Sequence, residues 1–171
     1  MKNNSIFIAT STFGVHSNEP INRLEYGGDA IVLNPLSRKL TSNELIKYAH
    51  DATGIIAGTE PYTNEVLQQL PHLKVISRLG VGMDNIDLET AKGMDIKVYK
   101  TQTTPALAVS ELVLGLMLDL VRKISHQNNT LKSGTWKKEM GNLLHGKTLG
   151  IIGLGAIGKT LVKLVKGFNF N

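Results

Sequence analysis

At 171 residues the chain has room for one full domain, or for one domain and part of another. Apolar residues make up 42% and charged residues 19%, a globular rather than a disordered composition. With no cysteine, disulfides, thiolate metal sites and a cysteine nucleophile are excluded, and the net charge of +5 comes from scattered Lys and Arg with no nucleic-acid recognition motif among them.

The N-terminus, Met1-Lys2-Asn3-Asn4-Ser5, leads into a short β-like run without a secretory apolar core. Residues 5–9 read as a first strand and 30–33 as a second. Residues 54–57, 74–77 and 96–99 follow as three more short β-rich runs. Helices fit between them. Thr41 or Ser42 caps a helix over 43–49, and Thr63 with Glu65 opens one over 64–70. Asp87 starts a helix over 88–92 that Gly93 is expected to end. Five strands linked by helical crossovers imply a parallel, doubly wound α/β sheet over residues 1–101.

The polar segment Thr101-Gln102-Thr103-Thr104-Pro105 reads as a crossing into a second domain, 102–171. Pro105 suits the first turn of a helix running to about His126. That helix is apolar around most of its circumference, so it is expected to be covered on more than one side. It carries Ser110, Glu111 and Asp119, whereas a membrane span needs about 20 nearly uncharged residues. The chain is therefore read as cytoplasmic, with no membrane partner.

After a turn at Ser133-Gly134-Thr135-Trp136, residues 148–152 read as a sixth strand. It runs into Gly153-Leu154-Gly155-Ala156-Ile157-Gly158 and then a helix through Lys166. This is G-x-G-x-x-G in its required setting of strand, tight turn and helix. Gly153 permits the turn, Gly155 lets a pyrophosphate approach the backbone, and Gly158 brings helix and strand close. The helix N-terminus offers free N–H groups to phosphates. An acidic residue about 20 positions downstream, which would separate NAD from NADP, falls past Asn171.

Arg78-Leu79-Gly80-Val81-Gly82-Met83-Asp84-Asn85-Ile86-Asp87 reads R-x-G-V-G-x-D-N-I-D. With that signature the chain resembles the NAD-dependent D-isomer-specific 2-hydroxyacid dehydrogenase family, of the phosphoglycerate dehydrogenase type. Gly58-Thr59-Glu60-Pro61 matches the preceding loop, and Ala108-Val109-Ser110-Glu111-Leu112 the opening of the long interdomain helix. His145-Gly146-Lys147-Thr148-Leu149-Gly150 matches the approach to the glycine motif.

The resemblance implies a flavodoxin-like substrate domain followed by the start of a Rossmann cofactor domain. It implies hydride transfer between NAD, with NADP left open, and a D-2-hydroxy or 2-oxo acid. Gly80, Val81 and Gly82 would hold the substrate carboxylate. Val81, Val109, Gly153, Gly155, Ala156, Ile157 and Gly158 would hold the cofactor. Arg78 would steer the acid or, more simply, form a surface ion pair. The family's acid/base histidine, its carboxylate and its arginine come after the glycine motif. His16, His50, His72, His126 and His145 match none of those positions, so no catalytic residue is assigned. The expectation is a chain cut early in its cofactor domain and inactive alone, self-associating through the 105–126 helix. The alternative is a non-catalytic remnant that acts through self-association or by pairing with a full-length relative.

Overall fold

The computed structural model describes residues 4–170. The chain divides into two compact units, Met1–Thr103 and Thr104–Asn171.

The first unit is a five-stranded sheet in which every pairing is parallel. Its strands are β1 (Ser5–Ile8), β2 (Ala30–Leu33), β3 (Gly54–Ala57), β4 (Val75–Arg78) and β5 (Lys97–Lys100). They lie in the order β2-β1-β3-β4-β5. This is the flavodoxin-like doubly wound arrangement, whose strand order reverses between β1 and β3. Strands covered on both faces read as continuous apolar runs. So it is with Phe7 and Ile8 on β1, Ile55 and Ala57 on β3, and Ile76 on β4, all buried. The outermost strands β2 and β5 have no buried residue.

Three of the helices pack into the core cluster with the strands. α2 (Ser42–Ala49) begins with a complete capping box, Thr41 and Glu44 each accepting from the other's backbone N–H. Its Leu45 and Ala49 are buried beside Val66, Leu67 and Leu70. α3 (Asn64–Gln68) is shorter than the 64–70 expected. α4 (Leu88–Gly93) is capped by Asp87, which accepts from the Thr90 N–H. Gly93 does not end it as expected. Gly93 is the last helical residue, and the chain reverses at Asp95, which takes the left-handed conformation (φ 57°). α1 (Glu19–Tyr26), between β1 and β2, has no counterpart in the sequence reading. Its Pro20 lies in the first turn, where a missing N–H costs nothing.

The second unit is helical. α5 (Ala106–Arg122) does not run to His126: Lys123 adopts a left-handed conformation (φ 55°) and α6 (Ile124–Lys132) starts anew. Asp119 fixes the corner by accepting from both the N–H and the hydroxyl of Ser125, each at 2.6 Å. α7 (Ala156–Leu164) follows the glycine turn and ends in a 3-10 turn, Val165–Phe168. The sixth strand expected over 148–152 is absent among the described residues. A strand exists through hydrogen bonds to a neighbour, and the described residues of this unit include no second strand to supply them. Ile152 is accordingly fully exposed.

Candidate functional site

In a sheet of this order, ligands bind beyond the carboxyl ends of the strands, near the point where the order reverses. Three loops of the first unit meet there. Thr10 follows β1, Gly58-Thr59-Glu60 follows β3, and Leu79-Gly80-Val81-Gly82 follows β4. Gly58 is packed so tightly that a Cβ would fall 2.9 Å from Thr10 Cβ and 3.0 Å from Glu60 Oε2. Its N–H donates to Glu60 Oε2 at 2.8 Å, and Glu60 is only 2% exposed. Asn85 ties the two later loops together, its side-chain amide donating to the carbonyls of Gly58 (3.2 Å) and Glu60 (2.7 Å). Asn85 thus braces the loop that follows β3 from its place on the loop that follows β4.

Gly80 has φ 146°, which only glycine adopts freely, and a Cβ there would overlap the Arg78 guanidinium. Its N–H is already engaged by Thr101 Oγ1 at 3.1 Å and the Arg78 carbonyl at 3.0 Å. Among the described residues, the N–H groups of Val81 and Gly82 have no intramolecular acceptor. Two successive free donors on a glycine-rich turn suit an anion. The loop thus offers Val81 and Gly82, while Gly80 supplies the bend. Asp84 Oδ1 lies 2.9 Å from where a Gly82 Cβ would stand.

Arg78 makes no ion pair among the described residues. Its guanidinium donates through Nη1 to the Leu79 carbonyl, and its buried Nε has no partner. It also lines a cavity of about 230 Å³ with Phe13, Ile56, Ser77, Lys100 and Thr101. Tyr62, fully buried, has a hydroxyl without a partner. Burial first, then the Glu60 charge, pushes that phenol well above its ordinary range, while Arg78 pulls the other way. Sequence reading missed Glu60 and Tyr62 as site residues. Nothing local in Gly58-Thr59-Glu60-Pro61 signals that the glutamate turns inward.

In the second unit, the glycine turn has the geometry its spacing implies. Gly153 has φ 91°. Gly158 is buried, and a Cβ on it would lie 2.5 Å from the Gly153 carbonyl oxygen. Gly155 caps α7 with no side chain over the helix end, and a Cβ there would meet nothing. Ala156 and Ile157 form the exposed first turn. The buried Ser110 hydroxyl reaches the carbonyls of Ala106 (2.7 Å) and Ile157 (3.1 Å), joining α5 to the head of α7. Half-buried Val109 sits beside it. A phosphate-bearing cofactor fits this open, uncapped helix end.

All five histidines are exposed. His50 pairs with Asp51 at 2.9 Å and His126 with Glu139 at 3.2 Å, both on the surface.

Comparison with known proteins decides the family. The model for "D-isomer specific 2-hydroxyacid dehydrogenase, catalytic domain" matches residues 10–165. The chain belongs to this family. Among D-isomer specific 2-hydroxyacid dehydrogenases it is 43% identical over 136 residues to the D-3-phosphoglycerate dehydrogenase of Methanocaldococcus jannaschii, covering 77% of this chain and 26% of the relative. It is 34% identical over 164 residues to the hydroxypyruvate reductase of Thermotoga maritima, covering 91% and 53%. A structure of a D-isomer specific 2-hydroxyacid dehydrogenase from Polaromonas superimposes with a TM-score of 0.85 at 28% identity, over 98% of this chain and 53% of that one. An NAD+-bound 3-phosphoglycerate dehydrogenase from Entamoeba histolytica gives 0.75 at 28%, over 98% and 52%. The chain therefore spans between about a quarter and about half the length of these relatives. No described helix is long and apolar enough to cross a membrane.

Proposed function

We propose that the chain carries the binding elements of an NAD-dependent D-2-hydroxyacid dehydrogenase. The first unit takes the carboxylate of a small 2-hydroxy or 2-oxo acid on the Val81 and Gly82 N–H groups, with Gly80 making the bend. The second unit holds the cofactor pyrophosphate on Gly155, Ala156 and Ile157, with Gly153 and Gly158 shaping the turn and Val109 packed nearby. NAD is the cofactor of the reading, with NADP left open, and supplies the hydride acceptor when bound. Residues 102–171 would be the opening part of a Rossmann cofactor domain. The carrying observation is the uncapped head of α7 behind a glycine turn in which a Cβ at Gly158 would strike backbone.

Hydride transfer also needs a group to take the hydroxyl proton and a cation to grip the carboxylate and carbonyl. On our reading the five exposed histidines do not fill the first role, so the isolated chain binds without turning over. Phosphoglycerate is the substrate named for the relative most similar in sequence among those described. The cytoplasmic setting expected from the sequence is retained.

The test is a titration of the 15N-labelled chain with NAD, followed by amide shifts. Movement confined to residues 153–158 is expected, with a dissociation constant on the order of 1 mM. Unmoved glycine amides would defeat the cofactor assignment, and hydroxyacid-dependent NADH formation at the rate of a full-length relative would defeat the inactivity.

A second reading, association without catalysis, is favoured by one observation. Leu112, Leu116 and Leu120, one turn apart on α5, are 62%, 59% and 79% exposed. Such a stripe suits a second copy of the chain or a full-length relative.

A further inference from the structure

The first unit also indicates which acids its carboxylate loop would accept. From the buried Glu60 carboxylate on the Gly58 N–H, we infer that this chain selects unphosphorylated 2-hydroxy and 2-oxo acids, with Glu60 the residue that turns a phosphate away. The inference rests on the substrate-loop reading above and narrows it.

β3 and β4 are adjacent, with Ala57 paired to Arg78, and the Leu79 N–H donates to the Ala57 carbonyl at 2.8 Å. Gly58 therefore stands about one strand spacing, roughly 5 Å, from the start of the Gly80–Gly82 bend. That is close to the separation of the two charged ends of a three-carbon phospho-acid. A second anionic group reaching this strand end would meet the Gly58 N–H, but Glu60 already holds it. Neither member of the arrangement is free to leave. Gly58 is wedged against Thr10, and Asn85 holds the carbonyls on both sides of Thr59.

The charges around the loop give the same answer. Arg78 and Lys100 end neighbouring strands, paired across the ladder. Glu60 and Asp84 flank them on the loops. Two cations and two carboxylates balance in number before any ligand arrives, although none of the four is ion-paired among the described residues. One incoming carboxylate has two free N–H donors waiting. A phosphate adds about two further negative charges beside the Glu60 carboxylate already seated at Gly58. The loop residues Ala57, Gly58 and Thr59 supply no cation.

The experiment compares D-glycerate with its 3-phosphate ester, which differ only in the group at issue. Each is titrated into the full 15N-labelled chain while the Val81 and Gly82 amides are followed. D-Glycerate should bind at least about tenfold more tightly, a difference that uncompensated charge at this range readily supplies. E60Q, which keeps an acceptor for Gly58 and removes the charge, should bring the two acids to within about threefold. T59R places a cation on an exposed loop position and should narrow the gap in the same direction. It decides the matter if E60Q fails to fold. Equal or tighter binding of the phosphate ester by the unmodified chain would overturn the selectivity. Discrimination that survives in folded E60Q, or in T59R where E60Q does not fold, would overturn the role of Glu60. If neither acid moves the loop amides, the carboxylate site fails first and the selectivity with it, an outcome separable from both others.

Discussion

Gly158 shows how a single absent methyl group can organise a site. A Cβ there would press on the Gly153 carbonyl at 2.5 Å, which is backbone and cannot rotate aside. G158A should therefore force α7 away from its turn and destabilise the second unit by about 1–3 kcal/mol, in the manner of an overpacked core. Thermal denaturation checks this, and an unchanged melting temperature would show that the turn is looser than described. Glycines of this kind were legible in the sequence because spacing alone implies where a Cβ cannot be tolerated. Gly155 was placed by the same spacing, although a Cβ there would meet nothing within the chain; Gly80 was placed by the resemblance. Glu60 was not legible. A glutamate two residues after a glycine reads as an exposed loop residue, and only the inward turn of its side chain onto Gly58 makes it a buried anion. Nor could the sequence say that the Gly80 N–H is consumed by Thr101, a partner 21 residues away.

At the scale of elements, α2 is the part most completely written in local sequence. Thr41 and Glu44 close its capping box, and Arg38 grips the same carboxylate through both nitrogens, at 2.6 and 2.9 Å. The Arg38 hydrogen bonds, then those from Thr41, lower the Glu44 pKa from 4.5 to about 2. A depressed carboxylate stabilises the fold above its unfolded pKa, and that contribution is lost as pH falls through the folded one. Stability should hence decline between about pH 4.5 and pH 2 in a way that E44Q removes. Denaturant melts across that window, giving identical acid slopes for both proteins, would contradict the assignment. T41A should cost about 1 kcal/mol at neutral pH. Other elements depended on distant partners and were read less well. β4 and β5 each begin one residue later than expected, because the ladder with the neighbouring strand, not apolar content, sets where pairing starts. α1 was missed because its apolar residues are few and spread among Glu, Asn and Arg. The break at Lys123 was hidden inside a continuous helical pattern, since nothing local distinguishes a left-handed lysine; it is Asp119 reaching Ser125 across the corner that holds it.

For the whole molecule, the sequence foretold a doubly wound parallel sheet, and the sheet is there with its order reversing between β1 and β3. The helical unit departs from expectation where β structure needed a neighbour that its described residues do not supply. Its α5 leucines bear on association. Each leucine fully buried between two chains contributes roughly 1.5–3 kcal/mol, so three along one stripe favour pairing. Sedimentation velocity should show concentration-dependent association that the double substitution L116K/L120K abolishes. A wild-type chain that stays monomeric at high concentration would remove the stripe as an interface.

The two outermost strands, finally, are not equally defended. β5 begins and ends with lysine, and a row of unpaired N–H and C=O groups framed by charge discourages a foreign strand from adding to it. β2 is Ala-Ile-Val-Leu without a charge, and its Val32 and Leu33 are about half exposed. Growth into fibrous aggregates, if heat or acid loosens the fold, would start along that bare rim and spare the opposite one.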